Sequence, residues 1–123
     1  WGELFFALAV GIIALASNDE WVYAASLLVM SLADGLAAVI GSAYGKKFRY
    51  TILGHPKSLL GTASFFIITL IILALINPQL IQQVSLIWMI GITIGATIME
   101  NIGVAGLDNL AVPLLVAALL TNA

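Results

Sequence analysis

The chain contains no cysteine, so disulfides and thiolate metal sites are excluded at the outset. Charge is almost as scarce. Only 8% of the 123 residues are Asp, Glu, Lys or Arg, where a soluble domain carries roughly a quarter. Histidine occurs once, as His55, a lone imidazole in a polar stretch. There is no Asn-x-Ser/Thr sequon, no low-complexity tract, no internal repeat and no β-alternation. What remains is apolar: 63% hydrophobic residues and a mean hydropathy of +1.17. A bilayer core of about 30 Å needs about 20 helical residues, and the apolar runs approach that length. The composition therefore reads as an integral membrane protein, an all-α bundle of about five transmembrane helices in one membrane domain, 1–123.

Five helical segments can be drawn. The first covers Trp1–Ala16 and ends at Ser17-Asn18-Asp19-Glu20. The second runs from Trp21 to about Gly45, the third from Leu59 to Ile76, stopped by Asn77-Pro78. The fourth spans about Leu80–Met99, and the fifth Asp108–Leu120 with Pro113 inside it. His55, ahead of Pro56, is expected to be extended. Ala14-Leu15-Ala16-Ser17 has the look of a signal-peptidase site, but Glu3 and the lack of a preceding basic residue favour an ordinary helix. Because the chain opens on Trp1, it reads as the C-terminal part of something longer.

In so apolar a chain, the placement of charge carries the information. Lys46, Lys47, Arg49 and Lys57, every basic residue present, fall within positions 46–57. Positive residues mark the cytoplasmic side, so this connection and the one at Glu100–Leu107 share the cytoplasmic face. Asp34 lies eleven residues before Gly45, about 16 Å along a helix, in the same half of the membrane. A carboxylate inside a membrane helix costs about 2.5–3.5 kcal/mol and usually faces a bundle interior or a watery cavity. Ala38, Gly41, Ser42 and Gly45 give Asp34 a stripe of small residues, which lets a helix or ligand come close.

Each feature also has a plainer explanation. Asp34 could be a hydrogen-bonded structural acid, and Asp108 an N-cap. The four cations could be the orientation signal alone, or attract anionic lipid. Ser58 could simply cap the next helix, although with Lys57 and the first-turn N–H groups it would also form an anion cradle. Gly41-x-x-x-Gly45-Lys46 is not a nucleotide P-loop: it is one residue short, no Ser or Thr follows the lysine, and the glycines close a helix. Gly91 and Gly95 suggest a helix-packing face, within the chain or between two copies. Trp21, Tyr23, Tyr44 and Trp88 fit interfacial anchors.

Three separated blocks extend the reading: Asp34-x-x-Ala37-x-x-x-Gly41-x-x-x-Gly45-Lys46, then Pro56-Lys57-Ser58-x-x-Gly61-Thr62, then Gly106-Leu107-Asp108-Asn109-Leu110-x-Val112-Pro113. Together they resemble the CTP-dependent polyprenol kinase family, the group that includes phytol kinase, dolichol kinase and diacylglycerol kinase of the fungal type. That family is distantly similar to phosphatidate cytidylyltransferases. The resemblance spans about Asp34–Leu114. It implies a membrane enzyme that moves a phosphoryl group from CTP to a lipid alcohol with Mg²⁺ or a similar divalent cation. By it, Asp34 and Asp108 are the key acids, and Lys57 with Ser58, Gly61 and Thr62 belongs to the CTP-binding loop. The charges then suggest that Asp34 and Asp108 hold the metal, that Lys57 with some of Lys46, Lys47 and Arg49, and Asn109 beside them, bind the CTP, and that Asp108 or Glu100 accepts the proton of the lipid hydroxyl. Many relatives carry an acid one or two residues before the glycine of the Lys-Ser block, where this chain has Leu60 and Leu59. Any role of that acid is absent or moved, with Glu100 the available substitute.

The expected partners are CTP, a lipid alcohol and the bilayer, with no nucleic acid. Two competing readings stand beside this one. A cytidylyltransferase would attack the α-phosphate and release pyrophosphate, but its anionic acceptor would need more positive charge than one loop supplies. A small transporter or structural subunit would use the buried acids as an ion path, although the acids gather toward one face and no repeat is present.

Overall fold

The computed structural model describes residues 2–44, 49–52, 55–81, 83–102 and 107–121. Helix α1 (Gly2–Ala16) leads to a polar corner, and Asp19 starts α2 (Glu20–Leu28) by accepting the Trp21 N–H at 2.9 Å, the expected N-cap geometry. Its second carboxylate oxygen accepts the Ile81 N–H at 2.8 Å, pinning a distant loop to the same corner. Helix α2 continues through one π-helical segment, Val29–Ala33, into α3 (Asp34–Tyr44). The Asp34 N–H reaches back to the Val29 carbonyl, five residues away. Such π-segments insert one residue into an α-helix and often stand at functional sites.

The all-α expectation needs a correction. Strands β1 (Arg49–Ile52) and β2 (His55–Ser58) pair antiparallel in the basic connection, with Arg49 opposite Ser58 and Tyr50 opposite Lys57. His55 is extended, as its proline neighbour requires. Helix α4 (Leu59–Ile76) follows at once, Ser58 Oγ accepting the Gly61 N–H at 2.9 Å. A 3₁₀ turn at Asn77–Gln79 ends it.

Helix α5 (Leu86–Ile102) starts six residues later than expected from the apolar run. The cause is Asn77. Its side chain accepts the Val84 N–H at 2.8 Å and donates to the Val84 carbonyl at 3.1 Å, tying Val84 back to the end of α4 before α5 begins. Helix α6 (Asp108–Thr121) runs unbroken through Pro113.

Helix α6 packs against α1, α2 and α5, while α4 packs against α3 and α5. The shared core holds Ile13, Val29, Phe65, Leu73, Ile92, Val112 and Val116. Outside it, large apolar side chains face outward on α1 to α5: Leu15 is 92% exposed, Leu75 71% and Ile87 84%. Monomeric soluble proteins rarely leave contiguous surface of this kind. Two helical stretches, Glu20–Tyr44 and Leu59–Gln79, are long and apolar enough to cross a membrane. Helices α1, α5 and α6 are apolar but shorter, so length supports two of the roughly five expected spans.

The glycine expectations separate. A Cβ on Gly91 would meet nothing within 4 Å, so that position makes no close contact with another described helix of this chain, whereas one on Gly95 would come 3.3 Å from Leu115 of α6. The close crossing lies elsewhere, between Gly41 of α3 and Gly61 of α4. A Cβ on either would sit 2.7 Å from Ser58 Oγ and about 3.4–3.5 Å from the other glycine's Cα. Trp21 and Trp88 are partly exposed, and the Trp88 indole donates to the Leu119 carbonyl at 2.8 Å.

Candidate active site

The site is built at one end of the helix bundle, and sequence order explains how. Helix α4 begins there, α5 ends there and α6 begins there, so each brings a terminus rather than a side. Asp34 arrives from the middle of the α2–α3 rod, at the first residue after the π-segment. Glu100 stands buried in the last turn of α5, and Asp108 is the first residue of α6. The Leu107 carbonyl accepts the Leu110 and Ala111 N–H groups at 3.1 and 2.8 Å, so Asp108 lies inside the helix rather than capping it. An acid in a first turn is favoured by the helix dipole.

Asp34, Glu100 and Asp108 each present a carboxylate oxygen within 4.8 Å of the others. They border a cavity of about 370 Å³ that Arg49, Lys57, Ser58, Gly61 and Thr62 also line, with Ala37, Ala38, Gly41 and Ser42 forming the α3 wall. The small-residue stripe thus does two things. Gly41 lets α4 approach, and Ala38 and Ser42 leave the cavity open. Ionised carboxylates at this separation repel by roughly 3 kcal/mol per pair at an effective dielectric constant of about 20. Three of them converging in one cavity favour a cation among them. Oxygen-only donors suit a hard divalent ion such as Mg²⁺, which takes one or two carboxylates and fills its octahedron with phosphate oxygens and water. The donor set fits.

One of the three carboxylates is already matched. Lys57 Nζ lies 2.9 Å from Glu100 Oε1 and donates to the Glu100 carbonyl at 3.2 Å. That carbonyl belongs to the last turn of α5, where backbone acceptors lack intrahelical partners. Asp34 and Asp108 have no side-chain hydrogen bond among the described residues.

Most residues singled out from sequence converge here: Asp34, Glu100, Asp108, Arg49, Lys57, Ser58, Gly61 and Thr62. Asn109 is half-buried and does not line the cavity. Lys46, Lys47, Gly45, Gly103 and Gly106 lie outside the described residues, and of His55 only the backbone is described. Ser58 is engaged as the α4 cap, the plainer of its two readings, while still bordering the cavity.

Sequence reasoning missed Tyr50. Its hydroxyl bonds both Thr62 Oγ1 of α4 and Asn101 Oδ1 of α5, tying the hairpin to two helices beside the acids. Asn101 is oriented for this by donating its amide N–H to the Thr97 carbonyl at 2.9 Å. The one available signal was an aromatic residue set among the basic ones.

The chain is 29% identical over 119 residues to phytol kinase of Synechocystis sp., an alignment covering 93% of this chain and 51% of that protein. The chain therefore spans about half the length of the curated relative it matches. No family model and no solved structure matches. The similarity lies with the polyprenol kinases, as the three sequence blocks indicate.

Proposed function

We propose that this chain forms the catalytic membrane core of a CTP-dependent kinase that phosphorylates a prenol-type lipid alcohol, phytol or geranylgeraniol being the simplest acceptors. The observation that carries this is the meeting of three carboxylates with Lys57 and Arg49 in one cavity, in a chain similar to a phytol kinase. The outward apolar surface of its helices supports a multi-pass position in the bilayer, with the hairpin on the cytoplasmic face.

Phosphoryl transfer asks the protein for positioning and charge neutralisation more than for covalent chemistry. Arg49 and Lys57 supply positive charge to the triphosphate, from the hairpin that roofs the cavity. A divalent cation such as Mg²⁺, held by Asp34 and Asp108, would neutralise charge on the phosphates. The lipid hydroxyl enters sideways between helices, its oxygen bonds the terminal phosphorus, and the bridging P–O bond breaks to release CDP. A carboxylate oxygen of Asp108 or Glu100 takes up the hydroxyl proton. Only two basic side chains line the cavity among the described residues, which suits a neutral alcohol better than an acceptor that already bears a phosphate.

The test is transfer of labelled γ-phosphate from CTP to phytol by the intact protein in nanodiscs. Asp34→Asn and Asp108→Asn should each lower turnover by roughly 10²–10³-fold. Near-wild-type rates in both would refute the assignment, and release of pyrophosphate in place of CDP would move it to nucleotidyl transfer.

A further inference from the structure

Lys57 is engaged twice over. Its ammonium is committed to Glu100, bridging that residue's carboxylate and backbone carbonyl. The two side chains are only 21% and 11% exposed, so this is not a solvent-screened surface pair. Among the described residues it is the one ion pair, and Arg49 shares the cavity without joining it. While the ammonium holds Oε1, Glu100 offers a divalent ion only its second oxygen, and its charge is already matched. Two of the three ammonium donors of Lys57 are spent on Glu100, which leaves one for a phosphate.

We propose, resting on the kinase reading above, that Lys57 is an exchangeable internal counter-ion. In the arrangement the structure shows, it occupies the third carboxylate of the site. When metal and nucleotide enter, Glu100 is released to become a third metal ligand, and Lys57 turns to the phosphates. The residue type suits the task. An ammonium is a compact point charge with three rotatable donors on a flexible stem, so it can re-aim without the planar fit that a guanidinium needs. Its backbone belongs to β2, one residue ahead of Ser58, so the swing leaves the α4 cap in place.

The exchange has an unusual signature: removing Lys57 should strengthen one ligand and weaken the other. The experiment measures Mn²⁺ binding to the intact nanodisc-embedded protein by electron paramagnetic resonance, without nucleotide, and CTP binding by calorimetry with Mn²⁺ saturating. Lys57→Gln should tighten Mn²⁺ about tenfold and loosen CTP about tenfold or more. Lys57→Arg, which keeps the charge, should leave Mn²⁺ affinity near wild type. In a Glu100→Gln background, Lys57→Gln should no longer tighten Mn²⁺, because the pair's coupling is gone. If Lys57→Gln weakens Mn²⁺ or leaves it unchanged while Asp34→Asn abolishes it, Lys57 is a fixed structural partner and the exchange is overturned with the kinase reading intact. If wild-type protein binds no Mn²⁺, or Asp34→Asn binds it equally well, the metal site itself fails and the exchange falls with it.

Discussion

The Tyr50 hydroxyl donates to Asn101 Oδ1, joining positions 51 residues apart and fastening the β-hairpin to the end of α5. A two-stranded hairpin is marginal on its own, and this one carries Arg49 and Lys57 to the acids. Its position therefore depends on what holds it down. Tyr50→Phe removes the hydroxyl and nothing else. The expected result is a CTP KM raised about tenfold with a smaller change in kcat, and faster amide exchange in residues 49–58. Losing these part-buried bonds to Thr62 and Asn101 corresponds to about 1–3 kcal/mol. Unchanged KM and exchange would show that the hairpin is held otherwise.

Gly41 and Gly61 set how closely α3 and α4 approach. A methyl group at Gly61 would stand 3.2 Å from the Ala37 carbonyl as well as against Ser58. Gly61→Ala should destabilise the protein by about 1–3 kcal/mol and reduce CTP affinity, since the displaced Ser58 caps α4. Gly91→Ala meets open space and should stabilise by about 0.5–1 kcal/mol through helix propensity. Thermal unfolding of the two variants side by side checks the contrast.

Thr69 is fully buried in α4, and its hydroxyl has no hydrogen-bond partner among the described residues. An unmatched buried hydroxyl costs about 1–3 kcal/mol. Thr69→Val should therefore raise the unfolding midpoint without altering KM for either substrate.

The absence of cysteine makes labelling experiments clean. Single variants Leu15→Cys, Leu75→Cys and Ile87→Cys replace strongly exposed apolar residues, whereas Thr51→Cys places a thiol on the hairpin. In sealed vesicles a membrane-impermeant maleimide should label Thr51→Cys from the cytoplasmic side alone and leave the other three largely unreacted. Ready labelling of all four would argue against bilayer burial of those faces.

Chelation of divalent cations should abolish turnover, and Mg²⁺ should restore it. Glu100→Gln should raise the Mg²⁺ concentration needed for half-maximal rate by about tenfold, as expected for a lost carboxylate ligand.

The helices were legible because long apolar runs broken at Ser17–Glu20 and Asn77-Pro78 leave little choice of structure. Charge bias and a count of crossings put Glu100, Asp108 and the basic connection on one face, with Asp34 in the same half of the membrane; that the three acids border one cavity comes from the structure. Other features were not legible, for physical reasons. The hairpin strands are four residues each, and one contains Pro56, which ordinarily argues against a strand. The late start of α5 depends on Asn77 bonding Val84 across a turn, an interaction without a composition signal. The pairing of Lys57 with Glu100 is a long-range contact, and sequence offered phosphate as the more obvious partner for the lysine.

The widened turn at Val29–Ala33 has a consequence for the whole rod. One additional residue advances everything after it by roughly 100° about the helix axis. Val29 and Ala33 stay with the core, while Asp34 looks into the cavity and Gly41 meets α4. Deleting a single residue from this turn would shorten the span by only about 1.5 Å and barely change its hydropathy, yet turn the aspartate off its bearing and present a different flank of α3 to Gly61. The chemistry of this protein is thus set by angular phase as much as by the identity of its acids.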